Sequence, residues 1–236
     1  MEEKQQQKAY KSQDTNHISI FPGNPQGLPD EFFLRETLVF IDETFLEKLS
    51  KHLGNGKYLK FDKILFAENL AKKQNLNCKY IFYYTCPPFQ CEVPTTEEKR
   101  KKEGYSRFIN KLKKRGVIVR EGRCQRLKCD GEFVYKQKAV DILLAMDLMS
   151  VPLDYPKVKR IILISSDSDF VPIVESLEEK EVKTILYTYY ERIRDTPFSV
   201  SNHLVKSAYK YVLLTKEDFE NAKLDKSKYD KDIVKK

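Results

Sequence analysis

The stretch that most constrains this chain is Arg160 to Phe170, RIILISSDSDF. Ile161-Ile162-Leu163-Ile164 is an unbroken apolar run without polar alternation, the pattern of a strand buried on both faces of a parallel sheet. It stops abruptly at Ser165-Ser166-Asp167-Ser168-Asp169. Open parallel sheets bind ligands outside the carboxyl ends of their strands, and Asp167 and Asp169 fall there. Phe170 to Val174 continues as a helix, with Pro172 tolerable only in its first turn. Two readings of the turn are open at this point. Asp169 is a helix N-cap and Asp167 a turn residue, or both carboxylates serve a ligand.

The rest of the chain repeats the strand-then-helix theme. Leu38-Val39-Phe40-Ile41 is a second buried-strand run, ending on Asp42 and followed by Glu43. Phe45, Leu46, Leu49 and Leu53 fit an amphipathic helix closed by Gly54. Phe61, Ile64 and Leu65 open another helix expected to run to about Leu76. Lys79 to Thr85 is aromatic and β-branched enough for a strand, ended by Pro87-Pro88. Thr95 and Glu98 form a capping box before a helix with Tyr105, Phe108, Ile109 and Leu112 on one face, stopped by Gly116. Val117 to Val119 is a short strand, Tyr135 to Ser150 a helix, Val182 to Tyr187 a strand, and Ser199 to Leu214 a short helix followed by an edge strand. Alternating strands and helices predict a three-layer, Rossmann-like α/β domain with a mainly parallel sheet of about five strands. The expected layout is a flexible leader over residues 1–34, one domain over 35–214 and a basic tail over 215–236.

A formal charge of +8 makes an anionic partner the natural expectation, nucleic acid before a membrane surface. No apolar run approaches a membrane span, and the polar start MEEKQQQKAYKSQD lacks a signal-peptide core, so a cytoplasmic protein with reduced thiols is expected. Cys86–Cys91 and Cys124–Cys129 are each C-x4-C, wider than the usual zinc knuckle, which favours incidental thiols over a zinc site. The helix after Thr95 carries Lys99, Arg100, Lys101, Lys102, Arg107, Lys111, Lys113, Lys114 and Arg115, opposed only by Glu97, Glu98 and Glu103. Such a face is either simply solvated or a phosphate-contacting strip.

Asp141 interrupts an apolar helix, and an unpaired buried charge is costly. With Tyr135 to Ser150 read as one helix, Lys138 lies a turn away and could pair with it. Asp147 is about 240° around that helix from Asp141, which assigns Asp141 to the site and Asp147 to structure. Asp42, Asp141, Asp167 and Asp169 converging at one sheet edge would repel each other unless cations sat among them. Hard oxygen donors in that number suit Mg²⁺ or Mn²⁺, which can activate water for phosphodiester hydrolysis. Other chemistries lack support. There is no G-x-G-x-x-G or G-x-S-x-G, Gly54-Asn55-Gly56-Lys57 lacks Walker spacing, and only His17, His52 and His203 are available for acid–base or zinc work.

Val39-Phe40-Ile41-Asp42, then Gln137-Lys138-Ala139-Val140-Asp141-Ile142 with Asp147, then Ile164-Ser165-Ser166-Asp167-Ser168-Asp169-Phe170-Val171-Pro172, together resemble the NYN family, the LabA-like branch of the PIN-domain nucleases. The resemblance covers roughly residues 37 to 214. It implies a PIN fold and metal-dependent RNA cleavage, with Asp42, Asp141, Asp167 and Asp169 as catalytic, metal-binding acids. On that basis single-stranded RNA is the expected partner, a second copy of the chain a further one. Lys138, Ser165, Ser166, Ser168, Lys101, Arg107, Lys111 and Lys114 are the expected RNA contacts. Two departures stand out. The family's D-x-x-N has Phe45 in the amide position, and its S-G-D-x-D-F has Ser166 for Gly. Glu43 or Glu68 could supply a further acid. Two rival classes remain: a non-catalytic RNA-binding or scaffold module with a decayed site, and a different acidic α/β phosphotransferase or TOPRIM-like enzyme, which also uses a D-x-D turn. The Asp42 strand and the Asp141 segment fit the latter less well.

Overall fold

The computed structural model describes residues 35–129, 132–191, 198 and 202–224; the expected leader and most of the expected tail lie outside them. Six strands form one sheet: β1 (Arg35–Asp42), β2 (Leu76–Thr85), β3 (Ile118–Glu121), β6 (Arg160–Ile164), β7 (Lys183–Thr188) and β8 (Lys210–Leu213). Their order is β3-β2-β1-β6-β7-β8, and every neighbouring pair is parallel. A separate antiparallel hairpin joins β4 (Arg123–Cys129) to β5 (Glu132–Lys138).

The central strands are buried on both faces, as their unbroken apolar runs require. Val39 and Ile41 of β1 with Ile162 and Ile164 of β6 face a core layer shared with α1 (Glu43–Leu53), α2 (Lys63–Lys72) and α3 (Thr96–Lys114). Leu38 and Phe40 with Ile161 and Leu163 face the opposite layer, under α4 (Val140–Asp154), α5 (Val171–Glu179) and α6 (Asn202–Ser207). The result is a three-layer sandwich. The chain lays down β1, β2 and β3 outward in one direction, returns to β6 beside β1, then continues to β7 and β8 in the other. The β1–β6 boundary is therefore the switch point of the sheet, where a crevice opens beyond the strand ends.

Local signals account for the element ends. The Thr95–Glu98 capping box is present, and Thr95 Oγ1 accepts from Glu98 N at 3.2 Å while Glu98 Oε2 accepts from Thr95 N at 2.8 Å. Gly54 caps α1, and Pro172 sits at the start of α5. Among the described residues no helix is long and apolar enough to cross a membrane.

Four expectations need correction. The sheet has six strands, not about five. The helix opened at Lys63 ends at Lys72, and Leu76 already begins β2, because Asn75 turns the chain with φ 54°. Residues 135–138 are not helical but complete β5, and α4 starts only at Val140. Lys138 therefore cannot be a helical neighbour of Asp141. The break is at Ala139, held left-handed at φ 67°. Finally, packed structure continues past 214. A seventh helix, α7 (Lys216–Glu220), buries Phe219 and is followed by the buried Ala222, both in the first core layer.

Candidate active site

Parallel pairing of β1 with β6 sets Ile41 opposite Ile164, which brings Asp42 and Ser165 side by side where the strands end. Ser165 is fully buried, and its hydroxyl donates to Asp42 Oδ2 at 3.0 Å. The same Oγ accepts from Asp167 N at 3.2 Å, tying the acidic turn to the end of β1. Asp42 Oδ1 accepts from Phe45 N at 3.2 Å, so Asp42 is also the N-cap of α1. Asp167 caps the 3-10 turn Ser168–Phe170 by accepting from Asp169 N at 3.0 Å. The expected division of roles in that turn is thus reversed: Asp167, not Asp169, is the cap.

Burial is the main reason Asp42 is raised, from an ordinary carboxylate to about 6; its hydrogen bonds oppose this and the Asp141 charge adds to it. Asp141, at the first turn of α4, is also raised, by partial burial first and then by the charges of Asp167 and Asp169. Asp141 is thus the electrostatic link of the set: its charge raises Asp42, and the charges of Asp167 and Asp169 raise Asp141 itself. Asp169 is exposed and Asp167 half-buried. All are hard oxygen donors, and a divalent cation would relieve their mutual repulsion. The fit is one of chemistry rather than of a preformed coordination shell. Among the described residues no three His, Cys, Asp or Glu side chains stand close enough together, as placed, to hold a metal ion.

Glu43 lies beside Asp42 and is almost wholly buried. Lys63 Nζ approaches its Oε1 at 3.7 Å, while Oε2 has no hydrogen-bond partner. Burial pushes Glu43 up to about 8 despite the Lys63 charge, with Glu47 adding to the rise. Glu68 belongs elsewhere, next to Cys78 near the start of β2, where burial first and then Glu68 raise the thiol. Phe45, in the position where the family resemblance expects an amide, is buried in the core and supplies no polar group to the site.

Asp147 has a structural role. Its carboxylate accepts from Arg120 Nε at 2.8 Å, from Arg120 Nη2 at 3.0 Å and from the Tyr84 hydroxyl at 2.8 Å. Asp147→Ala is expected to cost about 1–3 kcal/mol of stability by stranding the hydroxyl of the buried Tyr84. Chemical denaturation of the variant beside wild type checks this.

The expected RNA contacts divide. Ser166 is half-buried, and Ser168 and Lys138 are exposed beside the acids in sequence. Ser165 is buried and committed to Asp42, so it positions an acid rather than touching RNA. Lys101, Arg107 and Lys114 are exposed on α3, with Lys101 paired to Glu97 at 2.8 Å. α3 packs against β3, and β3 lies three strands, about 14 Å, from β6 across the sheet. Lys111 lines a cavity of ≈ 730 Å³ floored by Phe61, Phe108 and Leu112, whose lining includes none of the four aspartates. His52 pairs with Glu191 at 2.8 Å, and His203 is exposed on α6; His17 lies outside the described residues. Cys86 contacts Cys124, and Cys91 Sγ accepts from Arg126 Nη1 at 3.2 Å. Cys86 of one C-x4-C pair thus meets Cys124 of the other.

Comparison with known proteins agrees with this architecture. Residues 36–215 match the family model of the NYN domain. A crystal structure of a protein of unknown function from Vibrio parahaemolyticus superposes with a TM-score of 0.53 at 18% identity, covering 79% of this chain and 96% of that one. No curated protein matches the chain.

Proposed function

The chain belongs to the NYN domain family, within the PIN-like superfamily, and from that premise we propose that it is a Mg²⁺- or Mn²⁺-dependent ribonuclease acting on single-stranded RNA. The observation that carries the reading is that Ser165 ties Asp42 to the turn of Asp167 and Asp169 at the switch point of the sheet, while the Asp141 charge raises Asp42 and the charges of Asp167 and Asp169 raise Asp141. When bound, a divalent cation held by these four acids would supply an activated water and charge stabilisation at the leaving oxygen. The chain's own groups do the rest. Ser165 orients Asp42 and fixes the acidic turn through Asp167 N. Lys138, Ser166 and Ser168 flank the acids and contact the RNA backbone.

The test is cleavage of labelled single-stranded RNA with Mn²⁺, with Mg²⁺ and with EDTA, alongside Asp169→Asn. Cleavage that needs the metal and is lost in the variant is the expected result; unchanged cleavage by Asp169→Asn removes the assignment. One observation favours a second reading, a non-catalytic RNA-binding module. Phe45 fills the core where the family's usual amide would face the site. RNA binding without turnover in any of the three conditions would select it.

A further inference from the structure

The β4–β5 hairpin leaves the main sheet between β3 and α4, and its second strand ends three residues before Asp141. Residues opposite each other on an antiparallel pair share a face, so the hairpin has two distinct sides. One side is anchored. The Arg126 guanidinium lies 4.8 Å from the ring centre of Phe89 and 4.3 Å from that of Phe133, between the two rings. Tyr135 packs on Phe89 at 5.6 Å, and Thr44 Oγ1 donates to Gln137 Oε1 at 2.9 Å, one residue from Glu43 and two from Asp42. The base is clamped as well. Gly122 N donates to Thr85 O at 2.9 Å, and a Cβ at Gly122 would sit 2.4 Å from the Lys138 carbonyl.

The other side carries the exposed Arg123, Gln125, Lys136 and Lys138 at the base of the hairpin, with Leu127 and Val134 and then Glu132 toward its tip. Arg123 stands directly opposite Lys138, and Gln125 opposite Lys136. Like charges paired across strands are destabilising. Among the described residues neither Arg123, Lys136 nor Lys138 has an ion-pair partner to offset this. Lys136 and Lys138 repeat along the strand at about 7 Å. A cationic row without ion-pair partners among the described residues, at the base of the hairpin and leading toward Asp141, is complementary to a polyanion whose backbone must reach the acids.

We propose that this free face of the hairpin is a phosphate track for single-stranded RNA, in which Arg123, Lys136 and Lys138 bind successive phosphates and deliver the strand to the acids. The proposal rests on the ribonuclease reading for its substrate, but it fails separately. Binding of fluorescent single-stranded RNA is measured by anisotropy in EDTA over a salt series, for wild type, for Arg123→Gln with Lys136→Gln, and for Asp42→Asn. Neutralising two phosphate contacts is expected to weaken binding at least about tenfold near 0.1 M salt. The slope of log K against log salt becomes shallower by about 1.4, while Asp42→Asn binds no worse than wild type. Lys136→Gln alone, with half the slope change, keeps the test if the double variant fails to fold. A wild type that cleaves RNA while the Gln variants keep its affinity and slope overturns the track and leaves the nuclease standing. A wild type that never cleaves but loses binding in the Gln variants supports the track and overturns the nuclease. Tighter wild-type binding to duplex RNA or to an acidic peptide than to the single strand also overturns the proposal.

Discussion

Asp42→Asn is expected to lower metal-dependent RNA cleavage at least about 10³-fold and, in the metal-free chain, to raise the melting temperature at pH 8 by about 5 °C. The first effect follows from removing an acid from the set proposed to hold the cation, a loss of about 4 kcal/mol of transition-state stabilisation. The second follows from burial. Asp42 is 7% exposed, and its folded-state pKa is raised from 3.8 to about 6. Between those two values the folded chain holds a proton that the unfolded chain has released. Stability therefore falls as pH rises through that window and stays reduced above it, by about 3 kcal/mol for a shift of roughly two units. Asparagine has the same shape without the charge. Its Oδ1 can still accept from Phe45 N, and Ser165 Oγ can accept from the amide where it now donates to the carboxylate. Replacing a charged acceptor with a neutral group costs about 1 kcal/mol, leaving a net gain of about 2 kcal/mol, or about 5 °C for a chain of this size. Glu43, pushed up to about 8 by burial, acts in the same direction and extends the loss of wild-type stability from about pH 4.5 to pH 8. Thermal melts at pH 5 and pH 8 in EDTA, repeated with Mn²⁺, check all of this. Mn²⁺ should raise the melting temperature of wild type at pH 8 and leave Asp42→Asn unmoved. A variant that melts below wild type at pH 8 would show that the buried charge is compensated and that the acids are not poised for a cation.

What the sequence shows of this molecule depends on how many of a segment's faces are buried. β1 and β6 are covered by helices on both sides, so their apolar runs admit no other reading, and the acids that end them stand out. The 240° separation of Asp141 and Asp147 survives the shortening of their helix because both lie within α4. The β4–β5 hairpin left no such mark. All of β5 is exposed, so it lacks the apolar alternation that identifies a strand. It then runs without a Gly or Pro into the apolar α4, the boundary being a left-handed alanine that no propensity anticipates. Asp130-Gly131, between the paired Cys129 and Glu132, was the available signal. The burial of Ser165 was equally hidden, because it depends on Asp42, 123 residues away, arriving beside it through the β1–β6 register.

Phe219→Ala is expected to lower the melting temperature by about 10 °C, although the residue lies beyond the 36–215 span of the family match. Its ring is 1% exposed, edge-on to Phe61 at 4.8 Å and tilted against Phe66 at 4.9 Å. The segment around it is held by several independent contacts. Asp218 closes a capping box on Thr215 and pairs with Lys73 at 2.5 Å. Asp62 N donates to Ala222 O at 2.8 Å, Asn69 Nδ2 donates to Asn221 O at 3.2 Å, and Phe61 bridges to Lys223. Residues that read as a polar tail thus complete the aromatic core beneath α2, through one large side chain within an otherwise charged run. Truncating such a ring costs about 3–5 kcal/mol, and at roughly 2–4 °C per kcal/mol this is about 10 °C. A chain ending at Leu214 loses the ring and the α2 contacts together and should melt lower still. Thermal melts of both variants decide the matter. If each melts with wild type, α7 is an appendage and the folded unit ends with β8; if both fall as expected, the helix is part of the domain that holds Asp42 and α1 in place.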